Sequence, residues 1–281
     1  NINSIPISPS LKYHNIIRIS EKYNLISNVD YRILNRDDSN SNNPSENYIF
    51  NVNNYLDHNL TTKNINIFNK VSSLNSIYDY NFEHNESLNR QENSSNFILS
   101  SDVYFNYLKN SKPRIKIIYP KSLVESDNIV NEDSEAISFN YINQYSDSRF
   151  FGNDLKDNTP RIVYGIENKF EVSNQPIQFN INQSFDFNEN NNFYNKTSQS
   201  SRYSDYALEA KTSFELINFQ TDLRLNEKTM SRKEMNYSLI LNKPIQLSLV
   251  YNETDKSAYD NLSKDTQSMK LGISKEINDN L

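Results

Sequence analysis

The feature that most constrains this chain is a period of two that recurs along it. Tyr23, Leu25, Val29, Tyr31 and Ile33 share one parity, while Asn24, Asn28, Asp30 and Arg32 hold the other. The same alternation returns at Tyr48, Phe50 and Val52, at Leu74, Tyr78, Tyr80 and Phe82, and at Phe97, Leu99, Val103 and Phe105. It continues through Ile177, Phe179 and Ile181, the run from Tyr206 to Leu216, and the runs ending at Leu225, Leu241, Tyr251 and Ile273. A helix would scatter these residues around its circumference, whereas a strand sends successive side chains to opposite faces. Alternation predicts roughly thirteen strands and no helix.

Each strand then has an apolar face that must be covered. Only 36% of residues are hydrophobic, a small share for a soluble globule of 281 residues, yet 19 Tyr and 15 Phe argue against disorder. No stretch of about 18 apolar residues offers a transmembrane helix, but a membrane barrel needs strands of only about 9 to 11 alternating residues. Tyr23, Tyr48, Tyr119, Tyr141, Tyr206 and Tyr251 fall near expected strand ends, where a ring can sit half buried at a membrane interface. From Asp147 onward long and short connections alternate, as in barrels with tight turns at one end and long loops at the other; before Ser111 the alternation is not legible. The expectation is an all-β fold, an antiparallel transmembrane β-barrel of the outer-membrane type. A soluble antiparallel sandwich would also alternate.

One stretch, from Asn131 to Ile166, organises the rest. It holds Gly152 and Gly165, two of only three glycines. It reads as strand, ordered turn and strand, with Ile137, Phe139 and Tyr141 on the first limb and Ile162, Tyr164 and Ile166 on the second. The order Asn131, Glu132, Asp133, Ser134, then Arg149-Phe150-x-Gly152-x-Asp154, then Arg161-x-x-Tyr164-Gly165 resembles the central barrel region of the lipopolysaccharide-assembly outer-membrane family, LptD. The segment from Pro113 to Pro120 resembles the strand that leads into that region. The chain departs from the pattern at Leu155, where the family has Arg, and at Asp157, Asn158 and Thr159, where glycines are expected.

The resemblance implies transport rather than catalysis. Lipopolysaccharide would arrive from periplasmic bridge proteins, enter the barrel and leave sideways into the outer leaflet through a seam between first and last strands. A plug lipoprotein would occupy the lumen, and a periplasmic jellyroll domain would receive the substrate. No jellyroll is legible here, so residues 1–281 are expected to be part of a larger barrel that continues past the C-terminal end. Asn131 to Ser134 and Arg149 to Asp154 are expected to shape the lumen or a loop within it. Two other functions share the pattern: a porin or nutrient receptor, and a secreted Asn-rich adhesin built of stacked strands.

The residues hold little other chemistry. There is no cysteine, so thiolate metal sites, disulfides and a Cys nucleophile are excluded. His14, His58 and His84 stand apart from other ligand types, no Gly-rich phosphate loop or nucleophile elbow occurs, and no cofactor is expected. Glu125, Asp127, Glu132, Asp133 and Glu135 could hold divalent cations near lipopolysaccharide phosphates, but without the turn-forming pattern of a hard-cation site they read as a solvated acidic loop. A net charge of -6 gives no footprint for nucleic acid. Lys112, Arg114 and Lys116 share a parity opposite Ile115, Ile117 and Tyr119, so in a barrel they would face the lumen. There they would line a route for an anionic glycolipid, contact a plug protein, or pair with neighbouring carboxylates.

Overall fold

Alternating aromatic and aliphatic residues on a mostly polar chain favour long strands over helices, and the computed structural model is built almost wholly of them. It describes residues 9–35, 44–82, 86–124, 129, 135–152, 154–172, 175–188, 199, 201–214, 216–241, 246–258 and 262–274. In chain order the elements begin with β1 (Ser10–Arg18), β2 (Tyr23–Asn35), β3 (Glu46–Thr61), β4 (Ile65–Asn81), β5 (Arg90–Phe105) and β6 (Ser111–Val124). A segment follows that carries β7 (Glu135–Ala136), α1 (Tyr141–Gln144) and β8 (Phe150–Phe151). The remaining strands are β9 (Arg161–Val172), β10 (Gln175–Asp186), β11 (Tyr206–Ser213), β12 (Ile217–Leu225), β13 (Arg232–Leu241), β14 (Gln246–Thr254) and β15 (Thr266–Ser274).

β1 to β6 and β9 to β15 form one antiparallel sheet of 13 strands, each paired with its neighbours in chain order. β1 and β15 lie at its edges. Because the strands simply run back and forth, all short turns fall at one end, at 19–22, 62–64, 106–110, 173–174, 214–216 and 242–245. Six longer connections, 36–45, 82–89, 125–160, 187–205, 226–231 and 255–265, fall at the other. Side chains close the turns: Thr62 Oγ1 accepts from Ile65 N at 3.0 Å, and Asn226 Oδ1 accepts from Lys228 N and Thr229 N at 3.0 and 2.9 Å.

The alternation of short and long connections therefore extends before Ser111, where the sequence did not reveal it. β1 is hidden by the adjacent pair Ile16 and Ile17, which breaks the parity. β4 is hidden because its apolar residues change sides along its length. Ile65, Ile67 and Val71 have one parity, while Tyr78, Tyr80 and Leu74 have the other. Tyr78, Tyr80 and Phe82 are buried against Ile49 on the inner face, so they are not part of the outer apolar row that the alternation suggested.

A second correction concerns the first limb of the organising stretch. Ile137, Phe139 and Tyr141 do not form a strand. Only Glu135 and Ala136 pair, with Phe151 and Phe150, and Tyr141 starts a one-turn helix. Asn140 caps that helix, accepting from Asn143 N at 2.8 Å. Tyr141 thus lies on the inner face and not at a strand end near the membrane interface.

The segment from Ile137 to Pro160 packs on one face of the sheet. Asp147 reaches Lys70 on β4, and Phe139 lies beside Arg224 on β12. Strands lie about 4.8 Å apart, so β4 and β12 would be roughly 30 Å apart in a flat sheet. The chain from Phe139 to Asp147 includes the turn of α1 and reaches roughly 20 Å at most, so both contacts require the sheet to curl around the segment, which defines an inner and an outer face. The outer face is apolar: Ile117 and Tyr119 are 49% and 52% exposed, while Ile118 between them is fully buried inside.

Candidate functional site

The inner face is polar, yet it is filled around the inserted segment. Ile98, Ile118 and Val163 of the sheet bury Tyr141 and Tyr145 of α1 and its C-cap, with Leu74 packed against them. Tyr145 lies over Gly165, where a Cβ would stand 2.6 Å from the Tyr145 hydroxyl and closer still to the Ile181 carbonyl oxygen. The glycine is needed for close approach: any side chain would push the aromatic off the wall.

Three ionic clusters hold the segment in place. In the first, Arg149 faces Asp157 through Nε at 2.8 Å and Nη2 at 3.0 Å and pairs with Asp186 of β10 through Nη1 at 2.8 Å. Arg161 donates Nη1 to the same Asp157 at 2.7 Å and Nη2 to the Ser146 carbonyl at 2.5 Å. Arg149, Asp157 and Arg161 are all essentially inaccessible. In the second, Asp147 bridges Lys116 at 2.7 Å and Lys70 at 3.0 Å, while Lys116 also donates to the Tyr145 carbonyl at 2.7 Å. In the third, Arg224 pairs with Asp205 at 2.7 Å and Glu234 at 3.3 Å, its guanidinium 5.1 Å from the Phe139 ring.

Burial alone would raise the carboxyl pKa values in the segment, but the cations overcome it. Arg161 and Arg149 hold Asp157 down to about 2, and Lys116 and Lys70 do the same for Asp147, also to about 2. Asp157 and Asp186 in turn raise Arg149 above its ordinary value despite the desolvation that opposes it. Burial raises the hydroxyls of Tyr141 and Tyr145.

The residues singled out in the sequence have distinct places. Arg149, Phe150, Asp154 and Arg161 are buried, and Asp154 lies beside the Tyr78 hydroxyl. Gly152 has φ of 82°, a conformation open to glycine, next to the exposed Phe151. Tyr164 points outward and donates to Gln183 Oε1 at 2.5 Å. Arg114 grips Asp102 through two nitrogens at 3.0 and 2.7 Å, reaches Glu167 at 3.2 Å and stacks 3.6 Å over the Tyr145 ring. Lys116 is taken up by Asp147, whereas Lys112 has no ion pair among the described residues. Asn131, Glu132, Asp133 and Ser134 lie outside the described residues, as do His84, Glu125 and Asp127. Among the described residues no group of three or more His, Asp or Glu could hold a metal.

Sequence reasoning missed Asp147, Asp157 and Asp186 as the counterions of the network. Asp157 occupies one of the positions where the chain departs from the family pattern, the only hint the sequence offered. No helix among the described residues is long and apolar enough to cross a membrane, which says nothing of crossing by strands. A family model, described as LptD, LPS transport system D, matches residues 1–281. No curated protein matches the chain.

Proposed function

Since this chain belongs to the LptD family, outer-membrane barrels of lipopolysaccharide transport and assembly rather than enzymes, we propose that its sheet is a wall of a large barrel that delivers lipopolysaccharide into the outer leaflet. The observation that carries this reading is the division of the sheet: an apolar face turned outward, and a largely polar face turned toward a folded segment that meets it over ion pairs and a small apolar cluster. Such a division suits a wall between lipid and a wet lumen. The long connections would face the cell exterior and the short turns the periplasm.

In this reading lipopolysaccharide reaches the barrel from periplasmic bridge proteins through a domain outside these residues, and leaves sideways through a seam between strands. A plug lipoprotein would share the lumen with the inserted segment. Arg149 to Asp154 would fix that segment, with Asn131 to Ser134 contributing to the same loop. Arg114 and Lys116 would act as its clamps, because their charges are already engaged by Asp102, Glu167 and Asp147.

The test uses the full-length protein, run with and without boiling, while its depletion is scored for surface lipopolysaccharide. A heat-modifiable band with lipopolysaccharide lost from the surface is the expected result. Normal surface lipopolysaccharide on depletion would remove the transport reading and favour a porin or receptor.

A further inference from the structure

We propose that the inner face beneath α1 holds a subsite for phosphate groups of the kind a glycolipid head carries. The proposal rests on the transport reading and deepens it by naming a place and a chemistry. A cavity of about 340 Å³ opens between α1 and the short-turn ends of β6, β9, β10 and β11. Lys109, Lys112, Arg114, Lys169 and Lys211 line it, against two carboxylates, Glu167 and Glu209.

Those carboxylates are already engaged. Glu167 accepts from Arg114 at 3.2 Å and from the Tyr141 hydroxyl at 3.1 Å. Glu209 accepts from Asn180 at 2.8 Å and pairs with Lys211 at 3.0 Å. Lys109, Lys112 and Lys169 make no ion pair among the described residues. A chain of net charge -6 therefore concentrates unbalanced positive charge at one point on its inner wall, where neighbouring low-dielectric walls would strengthen its pull on an anion.

The register brings these cations within reach of one ligand. Lys169 lies opposite Gln178, Gln178 opposite Lys211, and Lys112 opposite Glu167. Lys169 and Lys211 thus leave the sheet about 10 Å apart, a gap that two lysine stems can close on one anion. Compact ammonium groups without a planar fork suit phosphate as point charges. A second cavity of about 400 Å³ shares Lys169, Gln178 and Lys211 and continues along Asn218, Gln220 and Ser238. Its amide and hydroxyl groups, set among the apolar Pro176, Phe219 and Ile240, suit a sugar ring attached to the phosphate, which presents both hydroxyls and C–H faces. The ligand class is a phosphorylated saccharide, seated near the end of the barrel wall that carries the short turns.

The experiment places a photocrosslinker at Gln178 of the full-length protein with its native partners. Its probes are lipopolysaccharide and the same material dephosphorylated by phosphatase, each with and without millimolar inorganic phosphate. We expect crosslinking of lipopolysaccharide to fall at least fivefold in the double variant Lys112→Gln/Lys169→Gln and at least fivefold on dephosphorylation. Lys112→Arg/Lys169→Arg should restore it, which separates charge from misfolding. Competition by inorganic phosphate would show that the site also takes the free ion; lack of competition would tie it to the phosphosugar. Undiminished crosslinking in the Gln variant, or equal crosslinking of dephosphorylated material, would overturn the subsite and leave transport standing. Absence of crosslinking at Gln178 in the otherwise unaltered protein would overturn the subsite alone, whereas normal surface lipopolysaccharide on depletion of the protein would overturn the transport reading as well.

Discussion

At the scale of single residues, the account turns on Gly165. It is the point where the inserted segment comes closest to the wall, with the Tyr145 hydroxyl and the Ile181 carbonyl oxygen both inside the volume of a methyl group. Gly165→Ala should therefore act as an overpacking mutation of about 1 to 3 kcal/mol. The expected outcome is a barrel that still assembles but loses its heat-resistant band at a lower temperature, with the Ile137 to Pro160 segment open to protease. A variant indistinguishable from the parent in both assays would mean that Tyr145 does not rest on this strand. The glycine was legible in the sequence as a position of unusual constraint, but its cause was not. Chain order gives no sign that Tyr145 lies over it.

At the scale of elements, the inserted segment is held by paired charges, and its stability should follow their titration. The ordinary carboxyl value is 3.8, and Asp147 and Asp157 each sit at about 2 in place. Because the pKa is lowered in the folded state, their contribution is complete above about pH 4 and is lost as the pH falls through about 2. It amounts to roughly 2 kcal/mol for each carboxylate. Protease cleavage of the segment should rise as the pH falls from about 4 to 2; cleavage that stays level over that range would contradict these pairings. The elements were unevenly legible. Strands with four or more apolar residues on one parity, such as β2, β10 and β13, could be read directly even where Ile26, Leu34 or Ile240 falls on the other, and so could the tight turn between β9 and β10. β1 and β4 could not, since a doubled isoleucine in one and a change of buried side in the other defeat any test based on period two. The first limb of the organising stretch misled for a related reason: Ile137, Phe139 and Tyr141 alternate because a loop buries them one by one, not because they form a strand. The counterions were hard to read for two reasons: Asp147 and Asp186 meet Lys70, Lys116 and Arg149 only where the segment packs on the sheet, and Asp157 meets Arg149 and Arg161 only through the fold of the segment itself.

At the scale of the whole molecule, the central claim is that the sheet divides lipid from lumen. A charge on the outer face near mid-bilayer should cost about 2 to 4 kcal/mol, so Ile166→Arg should reduce the heat-modifiable band in outer membranes. Gln178→Arg, on the inner face of the adjacent strand, should leave that band close to normal; equal loss in both would remove the assignment of faces. The most direct measurement exploits the absence of cysteine from this stretch. Single nitroxide labels would be placed along β13, whose Tyr237 stacks against Phe219 and Tyr251 on the outer face, each at 6.2 Å between ring centres. With the full-length protein in bilayers, labels at Tyr237, Leu239 and Leu241 should collide mainly with oxygen dissolved in lipid. Labels at Asn236, Ser238 and Ile240 should collide mainly with a water-soluble nickel chelate. That alternation would establish a wall between lipid and water; nickel access without an oxygen maximum at the odd positions would mean that the apolar face never meets a membrane, and the account would fail.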